Sequence, residues 1–341
     1  MKYKLFVLKN SQGMELEVSN LGGIAMSLTA PDRDGVFENI LLGFDDPTLC
    51  KAYGHVSTLV GRVCNRIRKG RFTLDGKTYQ LALNTESGGI KSSLHGGAIG
   101  FGQKVWDVRR FDSKDGPALE MTLLSPDGDE GYPGNLFVRV VYTLMDCNAW
   151  RIEYWAMTDA PTVFNPTHHA YFNLNGAHYD VLDHLVQIHA DYYTPSDKGL
   201  ISTGEVLPVD GTPIDFREPK RIGEDVDSRA AVIQRAGGGY DHNFVVNRTG
   251  PGLALCAVVE DQESGRQMET WSTEPCVQFY TANHIQPGTL GRGGLVYGPR
   301  HGFCLETQHA PDSPNQPGFE SIRLNPGQVF QSTTLYQFYT I

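Results

Sequence analysis

Apolar and polar residues alternate with a period of two along most of this chain, in short runs broken by glycine and proline. That period is the mark of a half-buried β-strand, whose successive side chains point to opposite faces. Residues 150–157 carry it most clearly, and residues 14–19, 39–44, 119–124, 136–144, 185–190, 252–260, 265–271 and 276–280 read the same way. Asp75-Gly76, flanked by alternating residues, predicts a two-residue hairpin turn. Residues 125–134, dense in Gly and Pro, predict a rigid rim loop; its Asp-x-Asp start lacks the twelve-residue calcium pattern. Residues 223–236 form the one helix-tolerant stretch, ended by Gly237, Gly238 and Gly239. The tail, with Asn325-Pro326-Gly327 between residues 319–324 and 329–339, predicts a closing hairpin.

No linker or shift in composition divides the 341 residues, and no βαβ rhythm appears. The expectation is an all-β fold, a large antiparallel β-sandwich with few short helices, in a single domain spanning residues 1–341. The 38 glycines and 19 prolines suit many short strands joined by tight turns. A formal net charge of -10 gives an acidic surface, and the longest basic cluster runs only from Arg66 to Arg71. Nucleic acid is therefore not an expected partner. The N-terminal apolar run carries no signal-like cleavage region, and no run is long enough to span a bilayer. The six cysteines stand apart with no Cys-x-x-Cys pair, so reduced thiols and a cytoplasmic location are expected.

Candidate chemistry gathers in a few places. His168 and His169 follow Asn165 and precede Ala-Tyr-Phe. On a strand only one of the two imidazoles can enter a cavity, and the other must brace it from behind. Asn65 and Arg66 follow an apolar start. His95 adjoins Gly96-Gly97, where the backbone can approach a ligand closely, and Asp241-His242-Asn243 lies between a glycine run and an apolar strand. Glu306 stands where a strand meets a Pro-rich loop holding His309, as a buried base or an edge residue. Burial would raise the pKa of Glu306 and a nearby Arg66 would lower it. His95, His169, His242 and His309 show no short ligand spacing such as His-Glu-x-x-His, so no metal is expected.

Taken in order, these motifs resemble the aldose 1-epimerase (galactose mutarotase) family over nearly the whole chain. They are Gly61-Arg-Val-Cys-Asn65-Arg66-Ile67, Gly70-x-Phe-x-Leu-Asp75-Gly76, Leu94-His95-Gly-Gly97, Thr167-His168-His169-Ala-Tyr-Phe-Asn173, Asp241-His242-Asn243-Phe244, Gln278-Phe-Tyr-Thr and Leu305-Glu306-x-Gln308. The resemblance implies a galactose mutarotase-like supersandwich. It also implies a cofactor-independent enzyme that interconverts the α and β anomers of free hexoses such as galactose and glucose. Position by position, Glu306 matches the catalytic base and His169 the acid. Arg66, His95, Asp241 and Gln278 match the sugar-binding positions, with Asn65 beside Arg66 in the same motif. His168 departs from the Asn of many members, and residues 85–93, leading into His95, look longer than usual. Trp106 reads as an apolar wall beside the sugar or as core. The partner implied is a monosaccharide, and nothing in the sequence chooses between monomer and homodimer. Three rivals are a sugar-binding protein without catalysis, an epimerase of a phosphorylated hexose, and a glycoside hydrolase. The second would need basic residues beyond Arg66 and Arg68, and the third would pair Asp241 with Glu306 and leave His169 without a role.

Overall fold

The computed structural model describes residues 3–50, 53 and 55–341; Met1 and Lys2, which open the N-terminal run, lie outside them. Its largest sheet has nine antiparallel strands. Their spatial order is Asp107–Ser113, Gly116–Ser125, Leu136–Met145, Ala149–Thr158, Phe330–Thr340, Arg266–Ser272, Ala254–Asp261, Leu185–Ile188 and Lys220–Arg221. Period-two patterning becomes burial here: Trp150, Ile152, Tyr154 and Ala156 on the Ala149–Thr158 strand all face the core. A five-stranded antiparallel sheet packs against this one, ordered Leu207–Pro208, Tyr192–Thr194, Asp241–Val245, Cys276–Tyr280 and Cys304–Gln308. A four-stranded N-terminal sheet adds Leu16, Val18 and Leu28 to the same core.

The alternation on the five-stranded sheet decides where chemistry can occur. Val277, Phe279 and Leu305 enter the core shared with Val259, Met268 and Tyr336 of the large sheet. The Tyr336 hydroxyl donates to the Leu305 carbonyl at 3.0 Å, and the Thr307 and Thr334 hydroxyls meet at 2.5 Å. Gln278, Tyr280, Cys304 and Glu306 therefore project from the opposite face. Each fully buried large apolar side chain contributes about 1.5–3 kcal/mol, so the packed face is anchored well enough to hold polar groups on the other.

Several expectations hold. Arg71–Leu74 and Lys77–Gln80 pair across Asp75-Gly76, both with positive φ, as the two-residue turn requires. Residues 126–134 form a loop with one short turn at Asp129–Gly131, Ser125 ending the strand before it. The buried Arg62 guanidinium ties it down, donating to the carbonyls of Ser125, Pro126, Pro133 and Gly134. Trp106 belongs to the core, edge-on to Phe101.

Two expectations need correction. The tail does not close on itself. Asn325 to Gln328 form the turn, but Phe330–Thr340 pairs with Ala149–Thr158 and Arg266–Ser272, while Arg323–Leu324 pairs with Thr162–Val163. The long tail strand gains a neighbour on both edges this way, which a hairpin with a short partner could not supply. The helix-tolerant stretch splits into Ile222–Asp225 and Ala231–Arg235, each too short to stand without tertiary packing.

Candidate active site

The outer face of the five-stranded sheet floors a cavity of about 410 Å³, within the ~300–1,000 Å³ typical of small-molecule clefts. Loops carrying Asn65 and Arg66, His95, His169 and Tyr171, and His284 to Gln286 wall it. Six of the seven expected site residues line it: Asn65, Arg66, His95, His169, Asp241 and Glu306. Gln278 lies one layer back. It donates to Asp241 Oδ1 at 2.5 Å and lines a small pocket behind, with Asn65, Arg66 and Asp241.

The histidine pair divides as strand geometry requires. Thr167–His168 is a short strand paired with Leu59–Val60. His168 turns into the core, where its ring meets Trp150 and Tyr142 edge-on at 4.9 and 5.6 Å. His169 turns into the cavity, its ring stacked on Tyr171 at 4.9 Å. Its Nε2 lies 3.5 Å from Glu306 Oε1, and both side chains are almost fully buried.

Burial sets the protonation of this pair. It pushes the His169 imidazole down to about 3, with His55 adding to the effect, and pushes the Glu306 carboxyl well above the usual range. Nearby Asp241 raises Glu306 further and Arg66 opposes it, so burial wins the contest that the sequence leaves open. Both shifts favour the uncharged forms of the pair over the ion pair. Two polar atoms in this cluster, Glu306 Oε2 and Arg66 Nε, are buried with no hydrogen-bond partner. Buried polar atoms are normally satisfied, so these two carry hydrogen-bonding capacity that the protein itself leaves unused.

Asn65 and His95 hold each other in place. Both have positive φ, and the His95 amide donates to the Asn65 carbonyl at 3.0 Å while the Asn65 amide donates to His95 Nδ1 at 3.2 Å. A donor on Nδ1 leaves the His95 proton on Nε2. The pairing arises because residues 85–93 form a hairpin, Thr85–Ser87 with Ile90–Leu94, whose second strand lies against Arg66–Arg68. None of residues 85–93 lines the cavity; the stretch leads into the wall only at Leu94 and His95, which follow it. The adjacent glycines serve a different close approach from the expected one. A Cβ on Gly96 would sit 1.8 Å from the Gly61 carbonyl oxygen, so its small size admits the chain's own backbone rather than a ligand.

His242 stays behind the floor, one ring nitrogen against the Val232 carbonyl and the other accepting from the Asp241 amide. His309 sits in a separate, larger cleft of about 740 Å³, paired with Glu274 at 2.7 Å. None of the expected site residues lines that cleft. Tyr53, His55, Tyr171, Tyr280, His284 and Gln286 also line the sugar-sized cavity without having been expected. Tyr171 and Tyr280 follow His169 and Gln278 by two residues, so strand alternation could have found them; the loop residues carry no such signal. Among the described residues, His95, His169 and Glu306 are the group able to converge on a metal, with ligand atoms within 4.8 Å of one another.

The buried histidines predict an acid-labile fold. Burial depresses His168 and His169 to about 3, His184 to about 4 and His95 well below 6.5. Unfolded, each takes up a proton as pH falls through 6.5, while folded it does not until far lower. Their stabilisation is thus full above 6.5 and lost on the way down, on the order of 1 kcal/mol per pH unit for each. Glu306, Asp312 and His309, raised, work in the opposite direction, but His242 and His301, lowered like the other four histidines, add to the loss. Urea midpoints are expected to fall steeply from about pH 7 to about pH 5, before ordinary carboxylates titrate; a flat midpoint over that span would contradict this.

A buried carboxyl–imidazole pair lies on the open face of a β-sandwich, ringed by an arginine, an asparagine and a second carboxylate, an arrangement able to exchange protons with a small polar ligand. The aldose 1-epimerase family model matches residues 4–337, and the chain belongs to that family. It is 39% identical to the galactose mutarotase of Rattus norvegicus over 335 residues, covering 98% of this chain and 93% of that protein. It is 37% identical to the aldose 1-epimerase of Escherichia coli K12 over 339 residues, covering 98% and 95%. Among solved structures, an aldose epimerase homologue from C. elegans superimposes with a TM-score of 0.87 at 26% identity over the full length of both chains. A galactose 1-epimerase from Lactobacillus acidophilus gives 0.83 at 29% identity, over 100% and 99%. The fold is accordingly the galactose mutarotase-like β-sandwich, and the activity is of the aldose 1-epimerase type.

Proposed function

We propose that this protein interconverts the α and β anomers of free hexoses, galactose and glucose among them, in the cytoplasm as one cofactor-independent domain. The observation that carries the reading is the Glu306–His169 pair, 3.5 Å apart and buried on one wall of a sugar-sized cavity. Glu306 as carboxylate with His169 as imidazolium differs from the uncharged pair only by one proton moved from the carboxyl to Nε2, the nitrogen that faces it. With a cyclic sugar bound, Glu306 takes the proton of the anomeric hydroxyl and His169 gives its Nε2 proton to the ring oxygen. The C1–O5 bond breaks, its electron pair going to O5, and C1–O1 becomes the aldehyde. This leaves Glu306 protonated and His169 neutral, the state burial favours. Rotation about C1–C2 presents the other carbonyl face, and closure with reversed roles yields the other anomer.

Asn65, Arg66, His95 and Asp241 fit as hydroxyl partners, with Gln278 bracing Asp241 and adjoining the same region. Arg66 is the single Arg or Lys among the described lining residues, and Arg68 is committed to Asp197 at 2.5 Å. That favours an uncharged sugar over a phosphorylated one. All six cysteines are unbridged, which agrees with a cytoplasmic setting.

The test is polarimetry on freshly dissolved α-galactose and α-glucose, with and without EDTA. The protein is expected to accelerate the approach to equilibrium rotation for at least one sugar, at a rate EDTA leaves unchanged. The spontaneous rate with both sugars would refute the reading, and loss of activity in EDTA, restored by a divalent metal, would refute its metal-free form.

A further inference from the structure

The reaction above uses one ring nitrogen of His169, and the other leads to a residue without a role so far. Cys304 and Glu306 are two apart on the Cys304–Gln308 strand and so project from the same face. Glu306 Oε1 reaches His169 Nε2 at 3.5 Å, and Cys304 Sγ reaches His169 Nδ1 at 3.4 Å. One strand thus places a side chain at each nitrogen of a single imidazole. The ring plane is fixed independently by Tyr171, stacked at an angle of 13°. Cys304 is completely buried, and burial beside Glu306 and Asp241 keeps its sulfur a thiol.

We propose that Cys304 is a positioning residue: its thiol holds Nδ1 of His169 in both protonation states of the ring and so keeps Nε2 aimed at the sugar's ring oxygen. This rests on the acid–base reading of the site. When the imidazole is neutral, its Nε2 proton having gone to the sugar, the remaining ring proton sits on Nδ1 and donates to sulfur, and Nε2 keeps a lone pair facing the cavity. When the imidazole is protonated, Nδ1–H donates to a sulfur lone pair. A thiol rotates about its Cβ–Sγ bond and is both a weak donor and a weak acceptor. The ring therefore gains and loses its proton without turning. A carboxylate in this place would favour imidazolium permanently, whereas the thiol favours neither state strongly.

Two variants and one spectrum test this. Cys304→Ala removes the partner and is expected to lower kcat about tenfold with KM little changed, the rate equivalent of one lost hydrogen bond. Cys304→Ser keeps a donor and acceptor and is expected to recover most of that loss, with thermal melts showing that both variants fold. Wild-type kcat in Cys304→Ala, or a folded Cys304→Ser as slow as Cys304→Ala, would overturn the proposal. The ¹⁵N spectrum of His169, assigned by difference against His169→Asn, reads the tautomer without any turnover. Wild type is expected to show a protonated, hydrogen-bonded Nδ1 and an unprotonated Nε2 that become a tautomer mixture in Cys304→Ala; a proton fixed on Nε2 in the neutral wild type would overturn it. An inactive wild type that still shows the expected Nδ1 signal would defeat the function reading and leave the thiol contact standing.

Discussion

Glu306→Gln is expected to lower the turnover of anomers about a thousandfold, close to 4 kcal/mol of transition-state stabilisation. The substitution keeps the side chain's size and its place opposite Gln278 in the sheet register, so the floor of the cavity is preserved. It also removes a carboxyl whose burial costs the fold an unpaired Oε2. Stability should therefore hold or rise while kcat falls. The amide can still touch a hydroxyl but cannot accept and return its proton, so KM should move far less than kcat. A Glu306→Gln enzyme within tenfold of wild type would remove Glu306 as the base.

His169→Asn is expected to cost roughly a hundredfold to a thousandfold in kcat, because the amide offers no transferable proton to the ring oxygen. Its cost extends to packing, since the stack on Tyr171 at 4.9 Å and the edge contact with His95 at 5.2 Å are lost. Steady-state kinetics on the double variant add a stricter check. Acid and base act on one C–O unit, so removing both should cost little more than removing the worse of the two. Full additivity would mean that they serve separate steps.

The family motifs carried most of this site's residues, and the two-residue period carried the division of the histidine pair. It required His168 and His169 to part, and the sandwich confirms it: one ring lies among Trp150 and Tyr142, the other in the cavity. The same period carries Cys304 and Glu306 to one face and Leu305 and Thr307 to the other. What escaped depends on distant partners. Which strand the tail would join was decided by Ala149–Thr158 and Arg266–Ser272, far from it in sequence. His55, His284 and Gln286 reach the cavity from irregular loops, where no period says which way a side chain points. Gln278 was legible as polar and near the site, but its layer was not, because that depends on Asp241 standing in front of it. The Gly96-Gly97 pair signals a close approach, but the neighbour at Gly96 is the Gly61 backbone rather than a ligand.

The most direct test of the Glu306–His169 pair is anomer exchange at equilibrium, followed by two-dimensional exchange NMR on galactose labelled with ¹³C at C1. Wild type should give cross-peaks between the α and β C1 signals at mixing times where the free sugar gives none. Glu306→Gln and His169→Asn, each folded and still broadening the sugar signals by binding, should give none. Cross-peaks of wild-type intensity in either variant would show that the sugar ring opens without that residue, and the account of this site would be wrong.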